Sequence, residues 1–170
     1  MKKLNEQEKR KTNKGKRVFL AFFFFLFPFF FCNGFLFAQT AERIELLLEQ
    51  DRVSCRDAAL MVLEASGRLD PAKQTSADNA FSFAMQRGWL PKDAQARSDA
   101  KLGGLSLLVA QAFEINGGIL FSLFKNPHYA YRAMVYRGII QGRADPQMFV
   151  TGELLMYTVE RAMNQITDNK

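Results

Sequence analysis

Three side chains in this sequence have the type and spacing for ligand work: Arg87, Trp89 and Arg137. An indole face stacks on a sugar ring, and a guanidinium fork meets a carboxylate or phosphate through parallel hydrogen bonds. Arg87-Gly88 and Arg137-Gly138 are matching pairs, so the two forks and the indole outline a shallow groove as the candidate ligand site. A purely structural account fits the same residues. Each arginine falls in the last turn of a helix, where the dipole favours a cation, and Trp89 fills the core. Tyr129 and Tyr136, seven residues apart, share a helical face, whereas Tyr131 points elsewhere.

No catalytic pattern accompanies them. His128 is the single histidine; it follows Pro127 in a helix first turn and reads as a surface or packing residue. Cys55 is the only cysteine after Cys32 and sits among Ala58, Ala59 and Met61, as a small half-buried helix residue does. There is thus no Cys-His pair and no cluster with metal-ligand spacing. Gly103-Gly104 lies inside a helical pattern, where glycine serves close helix packing better than phosphate binding. The expectation is a non-enzymatic protein with no metal and no cofactor.

The elements that must position these residues are helices. Sustained alternation is absent, whereas helical spacing and punctuation recur. Ile44, Leu47 and Leu48 mark an apolar face opposite Glu42, Glu45 and Glu49. Ser54 caps a second helix, with Asp57 in a capping-box position, Ala58, Met61, Val62 and Ala65 on one face, and Gly67 as its stop. Ser76 caps a third, carrying Ala80, Phe81, Ala84 and Met85 and closed by Gly88. Ser98 reads as the cap of a fourth, with Leu102, Leu105, Leu108, Val109 and Ala112. Asn116-Gly117-Gly118 then breaks the chain before a short apolar piece from Ile119 to Phe124. Pro127 opens a fifth major helix that ends at Gly138, and Thr151 caps the last, with Leu154, Leu155, Thr158, Val159 and Ala162 on its face. The predicted fold is all-α, a compact multi-helix bundle. Residues 102–124 hold a single charge, Glu114, in 23 positions, which invites a membrane-spanning reading. That carboxylate and the glycines favour two buried helices joined by a turn.

The charge of the chain is concentrated at one end. Residues 1–17 contain eight basic and two acidic groups, the whole of the formal +6, and the remainder is balanced at fifteen of each. Eleven of the 17 Phe lie between Phe19 and Phe37. A basic segment (1–17), an apolar run (18–32) and a small residue at Ala38 make residues 1–38 a secretory signal, with a cut expected before Gln39. The basic charge therefore belongs to targeting, and no nucleic-acid partner is implied. Two other readings stand: residues 18–38 retained as an inner-membrane anchor, or Cys32 as a lipid-attachment site, although Phe31 is large for the residue before such a cysteine. Cleavage leaves one helical domain, 39–166, and a polar tail, 167–170.

The strongest internal pattern is a duplication. Asn79 to Leu90 aligns with Tyr129 to Ile140 at an offset of 50, with Ala, an aromatic, Arg-Gly and a final apolar residue in place. Each unit is followed, ten or thirteen residues after its glycine, by Ser98 or Thr151, and Ser54 opens a comparable helix earlier. This arrangement resembles the S-layer homology module: a helix ending in a Gly-Ile/Val-x-Gly turn, a loop with an aromatic and a proline, then Ile-Thr-Arg-Ala-Glu opening a second helix. Tyr131 to Gly142, Asp145-Pro146 and Phe149-Val150-Thr151 carry the likeness; Ser76 to Phe113 is a poorer copy, and residues 40–66 resemble a closing half. The resemblance implies helix-loop-helix pseudo-repeats and a place in the cell envelope. It also implies an Arg in each Thr-Arg-Ala-Glu motif that helps bind anionic wall glycan. Here the three motif equivalents read Ser54-Cys55-Arg56-Asp57, Ser98-Asp99-Ala100-Lys101 and Thr151-Gly152-Glu153-Leu154. Cys55, Asp99 and Gly152 stand at the Arg position, so the cap carries over and the glycan-binding group does not.

Together these features lead to the expectation of an exported, non-enzymatic envelope protein of structural or adhesive type, in the periplasm or cell envelope. Its partner would be envelope polysaccharide or another envelope protein, with membrane contact through the N-terminal segment before cleavage. The alternative is an accessory subunit of a membrane complex, tethered by an uncleaved N-terminal anchor.

Overall fold

The computed structural model describes residues 42–69, 75–142 and 145–168. The basic segment, the apolar run and the cut expected before Gln39 lie outside the described residues. The chain divides into Met1–Glu45 and a compact unit, Leu46–Lys170, which holds the core. Among the described residues there are seven helices and no strand. They are α1 (42–48), α2 (Cys55–Ala65), α3 (Ala77–Gln86), α4 (Leu102–Ala112), α5 (Gly118–Leu123), α6 (Pro127–Tyr136) and α7 (Gly152–Asp168). The all-α expectation holds. The last helix runs to Asp168, into the segment read as a polar tail.

Helix α4 is the hub. Nine of its eleven residues are buried, and it packs on α2, α6 and α7, while α3 packs on α2. A helix that is apolar all round belongs in a core, which accounts for the absence of charge from Leu102 to Ala112. No described helix is long and apolar enough to cross a membrane. The buried Ser106 hydroxyl donates to the Leu102 carbonyl at 2.6 Å, so its polarity is satisfied inside the helix.

Helix ends repeat one geometry. At the end of α3, Gly88 N–H donates to Met85 O and Trp89 N–H to Ala84 O; at the end of α6, Gly138 N–H donates to Val135 O and Ile139 N–H to Met134 O. Gly88 and Gly138 take φ of +68° and +72°, the left-handed stop expected from the Arg-Gly pairs. Helix α4 ends by the same pattern, but its left-handed residue is Glu114, φ +54°. Its side chain pairs with Arg68, which also donates from Nε to the Ala112 carbonyl at 2.9 Å.

Helix starts repeat a second geometry. Val53, Ala100 and Val150, each two residues before a helix, close a ring of backbone hydrogen bonds. Ala100 N–H donates to Val53 O at 2.8 Å, Val150 N–H to Ala100 O at 2.9 Å, and Val53 N–H to Val150 O at 2.8 Å. The first amide of each following helix then reaches a neighbouring segment: Cys55 N–H to Ser98 O, Leu102 N–H to Met148 O, Gly152 N–H to Gln50 O. Orphan amides that a helix start normally leaves are thereby satisfied by tertiary contacts.

Two expectations are corrected here. Ser98 does not cap the fourth helix. Its hydroxyl donates to Gln95 O, and the cap position belongs to Lys101, which makes no side-chain cap bond. Leu102 and Gly103 donate to Met148 O and Pro146 O instead, so no cap side chain is needed. The 50-residue offset therefore persists through Lys101 and Thr151 to Leu102 and Gly152, so the residue that aligns with Gly152 is Leu102, not Asp99. The second correction concerns the apolar pieces. Helix α5 buries only Phe121, and Leu48 in α1 is exposed rather than on a buried face. Side-chain caps otherwise stand where expected: Asp57 N–H on Ser54 Oγ, Asn79 N–H on Ser76 Oγ and Leu154 N–H on Thr151 Oγ1.

Candidate functional site

The three residues singled out from sequence divide into two places. Trp89 is 9% exposed and packs edge-to-face on Phe83, with centroids 5.8 Å apart. Arg87, exposed, lays its guanidinium over Phe83 at 4.4 Å and over Trp89 at 5.4 Å, and Arg68 approaches the same indole at 5.9 Å. Arg87 and Trp89 therefore form one cationic-aromatic cluster, in which the arginine, not the indole, faces solvent. Arg137 makes its contacts elsewhere. Its Nε donates to Asn116 O at 2.7 Å, and Gln165 of α7 donates to its carbonyl. The reason lies at the offset positions: where Arg87 has Phe83 and Trp89 beside it, Arg137 has Ala133 and Ile139, which offer no ring face.

A different concavity lies beside the backbone ring. It is a cleft of about 410 Å³ between the start of α2, the 90–101 loop, the first turns of α4, and Phe149. Leu90, Pro91, Leu105 and Leu108 give it an apolar lining, and Asp93, Gln95, Ser98, Asp99 and Lys101 bring polar side chains to it. The ring fixes two walls directly: Ser54 bridges Asp99, and Lys101 bridges Phe149. At the rim, Arg52 ion-pairs with Asp99 at 3.2 Å and covers the Phe149 ring at 4.2 Å. Lys101 Nζ donates to Gln147 at 3.1 Å.

Cys55 also borders this cleft, buried, with its sulfur 3.6 Å from Ser98 Oγ. Burial pushes its thiol pKa up, and the carboxylates of Asp99 and Asp93 push the same way; the Ser98 hydroxyl works against them without prevailing. A thiol so held stays protonated at neutral pH and makes a poor nucleophile. Among the described residues no group of three or more His, Cys, Asp and Glu side chains is placed to hold a metal ion. The arrangement suits reversible binding: carboxylates, an amide, a hydroxyl and an ammonium around an apolar floor.

Sequence reasoning missed this cleft because Ser98-Asp99 resembled a helix start. No local signal separated Ser98 from the true caps: Ser76 and Thr151 also lack a Glu or Gln three residues on, yet both cap their helices. The tyrosine pairing was legible: Tyr129 and Tyr136 do line one cleft together. Comparison of the chain with protein-family models, with curated proteins and with solved structures finds no match.

Proposed function

We propose that this protein is an exported, non-enzymatic component of a bacterial cell envelope, structural or adhesive in character, which holds envelope polymer in the cleft beside the backbone ring. The observation that carries the reading is the polar set on an apolar floor at the meeting of three helix-opening segments. Glycan hydroxyls take hydrogen bonds from an ammonium and give them to carboxylates, while C–H faces of the sugar rest on apolar side chains. Asp93, Gln95, Asp99 and Lys101 supply the first kind of contact, and Pro91, Leu90 and Phe149 the second.

The likeness to S-layer homology modules is supported by the 50-residue offset of helix stops and starts and by the closed ring of Val53, Ala100 and Val150. With Cys55, Leu102 and Gly152 at the motif Arg positions, the family's charged ligand group is replaced by a thiol, a core leucine and a glycine. Recognition in this chain therefore falls to the loop residues of the cleft, with Arg87 as a further cation on the neighbouring helix end.

The test is co-sedimentation of the protein recovered from the envelope with purified cell-wall material. The wild type is expected in the pellet. A doubly substituted Asp99→Asn, Lys101→Gln protein should bind about tenfold or more weakly, from the loss of charged hydrogen bonds, while keeping its thermal midpoint nearly unchanged. Arg87→Gln separates the cleft from the groove first outlined by sequence: a loss there as large as in the double variant moves the site to the Arg87–Trp89 cluster. A wild type that stays in the supernatant and co-purifies with a membrane protein overturns the polymer reading in favour of a tethered accessory subunit.

A further inference from the structure

Helix α5 is inverted relative to the rest of the fold. Phe121 is buried and anchors it, whereas Ile119, Leu120, Leu123 and Phe124 are 80%, 52%, 68% and 56% exposed. Positions i, i+1 and i+4 lie along one stripe of a helix, so Ile119, Leu120 and Leu123 form a single outward ridge, followed by the exposed C-cap residue Phe124, whose ring lies 6.0 Å from that of Tyr129. Tyr136 of α6, 92% exposed, borders the same cleft as Leu120. A contiguous exposed apolar surface of this kind marks a docking site.

The charges carried by α5, α6 and the loop between them have one sign, and the nearby carboxylate of Glu114, which borders a cleft with Arg137, is paired with Arg68. From Ile115 to Gly142 the sequence carries Lys125, Arg132 and Arg137 and no carboxylate, although the chain beyond residue 17 is balanced overall. Helix α5 packs on α6, which contributes Arg132 and no acidic residue. Arg132 and Arg137 line the cleft that Leu120 and Tyr136 share, and Lys125 follows Phe124 directly.

We propose that the α5 ridge, with Tyr136, Lys125, Arg132 and Arg137, docks on an anionic lipid surface. Aliphatic and aromatic tips enter the boundary between headgroups and acyl chains, and the cations meet lipid phosphates. Tyr136 has the amphipathic ring that settles at that boundary. The aliphatic protrusion separates this surface from one made for nucleic acid, where flat rings stack on bases. The inference rests on α5 and α6 alone and stands whether or not the cleft holds polymer.

The experiment uses the full chain bound to vesicles, so that any contribution of residues 18–38 is common to every sample. Leu123→Trp places a reporter on the ridge, and Gln86→Trp places one on exposed α3, each read as the difference from the wild type with its single Trp89. Vesicles contain phosphatidylcholine alone or with phosphatidylglycerol, with bromine-labelled acyl chains. The expected result is quenching at position 123 that exceeds quenching at position 86 by about twofold or more, in phosphatidylglycerol vesicles only. It should weaken as salt is raised, since exposed charges are screened within about 10 Å at 0.1 M. Lys125→Gln and Arg132→Gln in the Leu123→Trp chain should each weaken docking by about fivefold. Equal quenching at the two positions overturns the proposal. So does a concentration-dependent dimer that Leu123→Asp abolishes, which assigns the ridge to a second copy of this chain.

Discussion

The segments 77–112 and 127–168 use the same backbone plan with different fillings. Their first helices stop through the same three hydrogen bonds, at Arg87-Gly88-Trp89 and Arg137-Gly138-Ile139, and their second helices begin 50 residues apart, at Leu102 and Gly152. The side chains at equivalent places differ because the neighbours differ. Leu102 faces the core and is fully buried. Gly152 lies against the end of α1, where a Cβ would overlap the Leu47 carbonyl oxygen and come within 2.6 Å of its carbon and 2.9 Å of Leu48 Cα. A backbone equivalence is thus compatible with opposite side-chain demands, set at each place by packing alone.

The largest expected effect tests that asymmetry. Gly152→Ala should cost about 3 kcal/mol, the upper end of the range for overpacking, because the obstruction is backbone and cannot rotate away. Urea unfolding midpoints measure it. Leu102→Ala leaves a cavity instead and falls at about 2–5 kcal/mol. A Gly152→Ala protein with the wild-type midpoint would show that α1 does not approach α7 as described.

The next effect sharpens the likeness. Gly88 and Gly138 have open space around a would-be Cβ, so the cost of alanine there is conformational only, about 1–2 kcal/mol for a left-handed residue. The two values should agree closely. A difference of more than about 1 kcal/mol, beyond the few-tenths error usual in such comparisons, would mean the two stops are not equivalent.

A smaller contrast concerns the starts. Thr151→Ala removes the acceptor for Leu154 N–H and should cost about 1 kcal/mol, as should Ser54→Ala. Lys101→Ala should change stability by less than about 0.5 kcal/mol, the usual range at the surface, because backbone carbonyls already occupy the first two amides of α4. Equal losses at 101 and 151 would show that the Lys101–Gln147 hydrogen bond stabilises the start of α4 as much as a side-chain cap does.

Smallest of all is Glu114→Gly. Releasing a left-handed non-glycine residue gains about 1 kcal/mol, and losing an exposed ion pair with Arg68 gives back up to about 1 kcal/mol. The net should be neutral to slightly stabilising, read from thermal midpoints; clear destabilisation would show that Arg68 and Glu114 are coupled to the Trp89 cluster.

What the sequence by itself determined is the local part of this protein. The all-α class follows from 3.6-residue spacing. The stops at Gly88 and Gly138 follow from a conformation that glycine adopts without strain, and the caps at Ser54, Ser76 and Thr151 from a side-chain oxygen within reach of the first-turn amides. All of these depend on atoms within about four residues of one another. Only the tertiary structure decided the rest. Whether Ser98 or Lys101 begins α4 depended on carbonyls at Pro146 and Met148, more than forty residues away in the chain. The cleft exists because three segments distant in sequence close one hydrogen-bonded ring. The exposure of α5 is of the same kind. Periodicity says which face of a helix is apolar, but not whether a neighbour arrives to cover it.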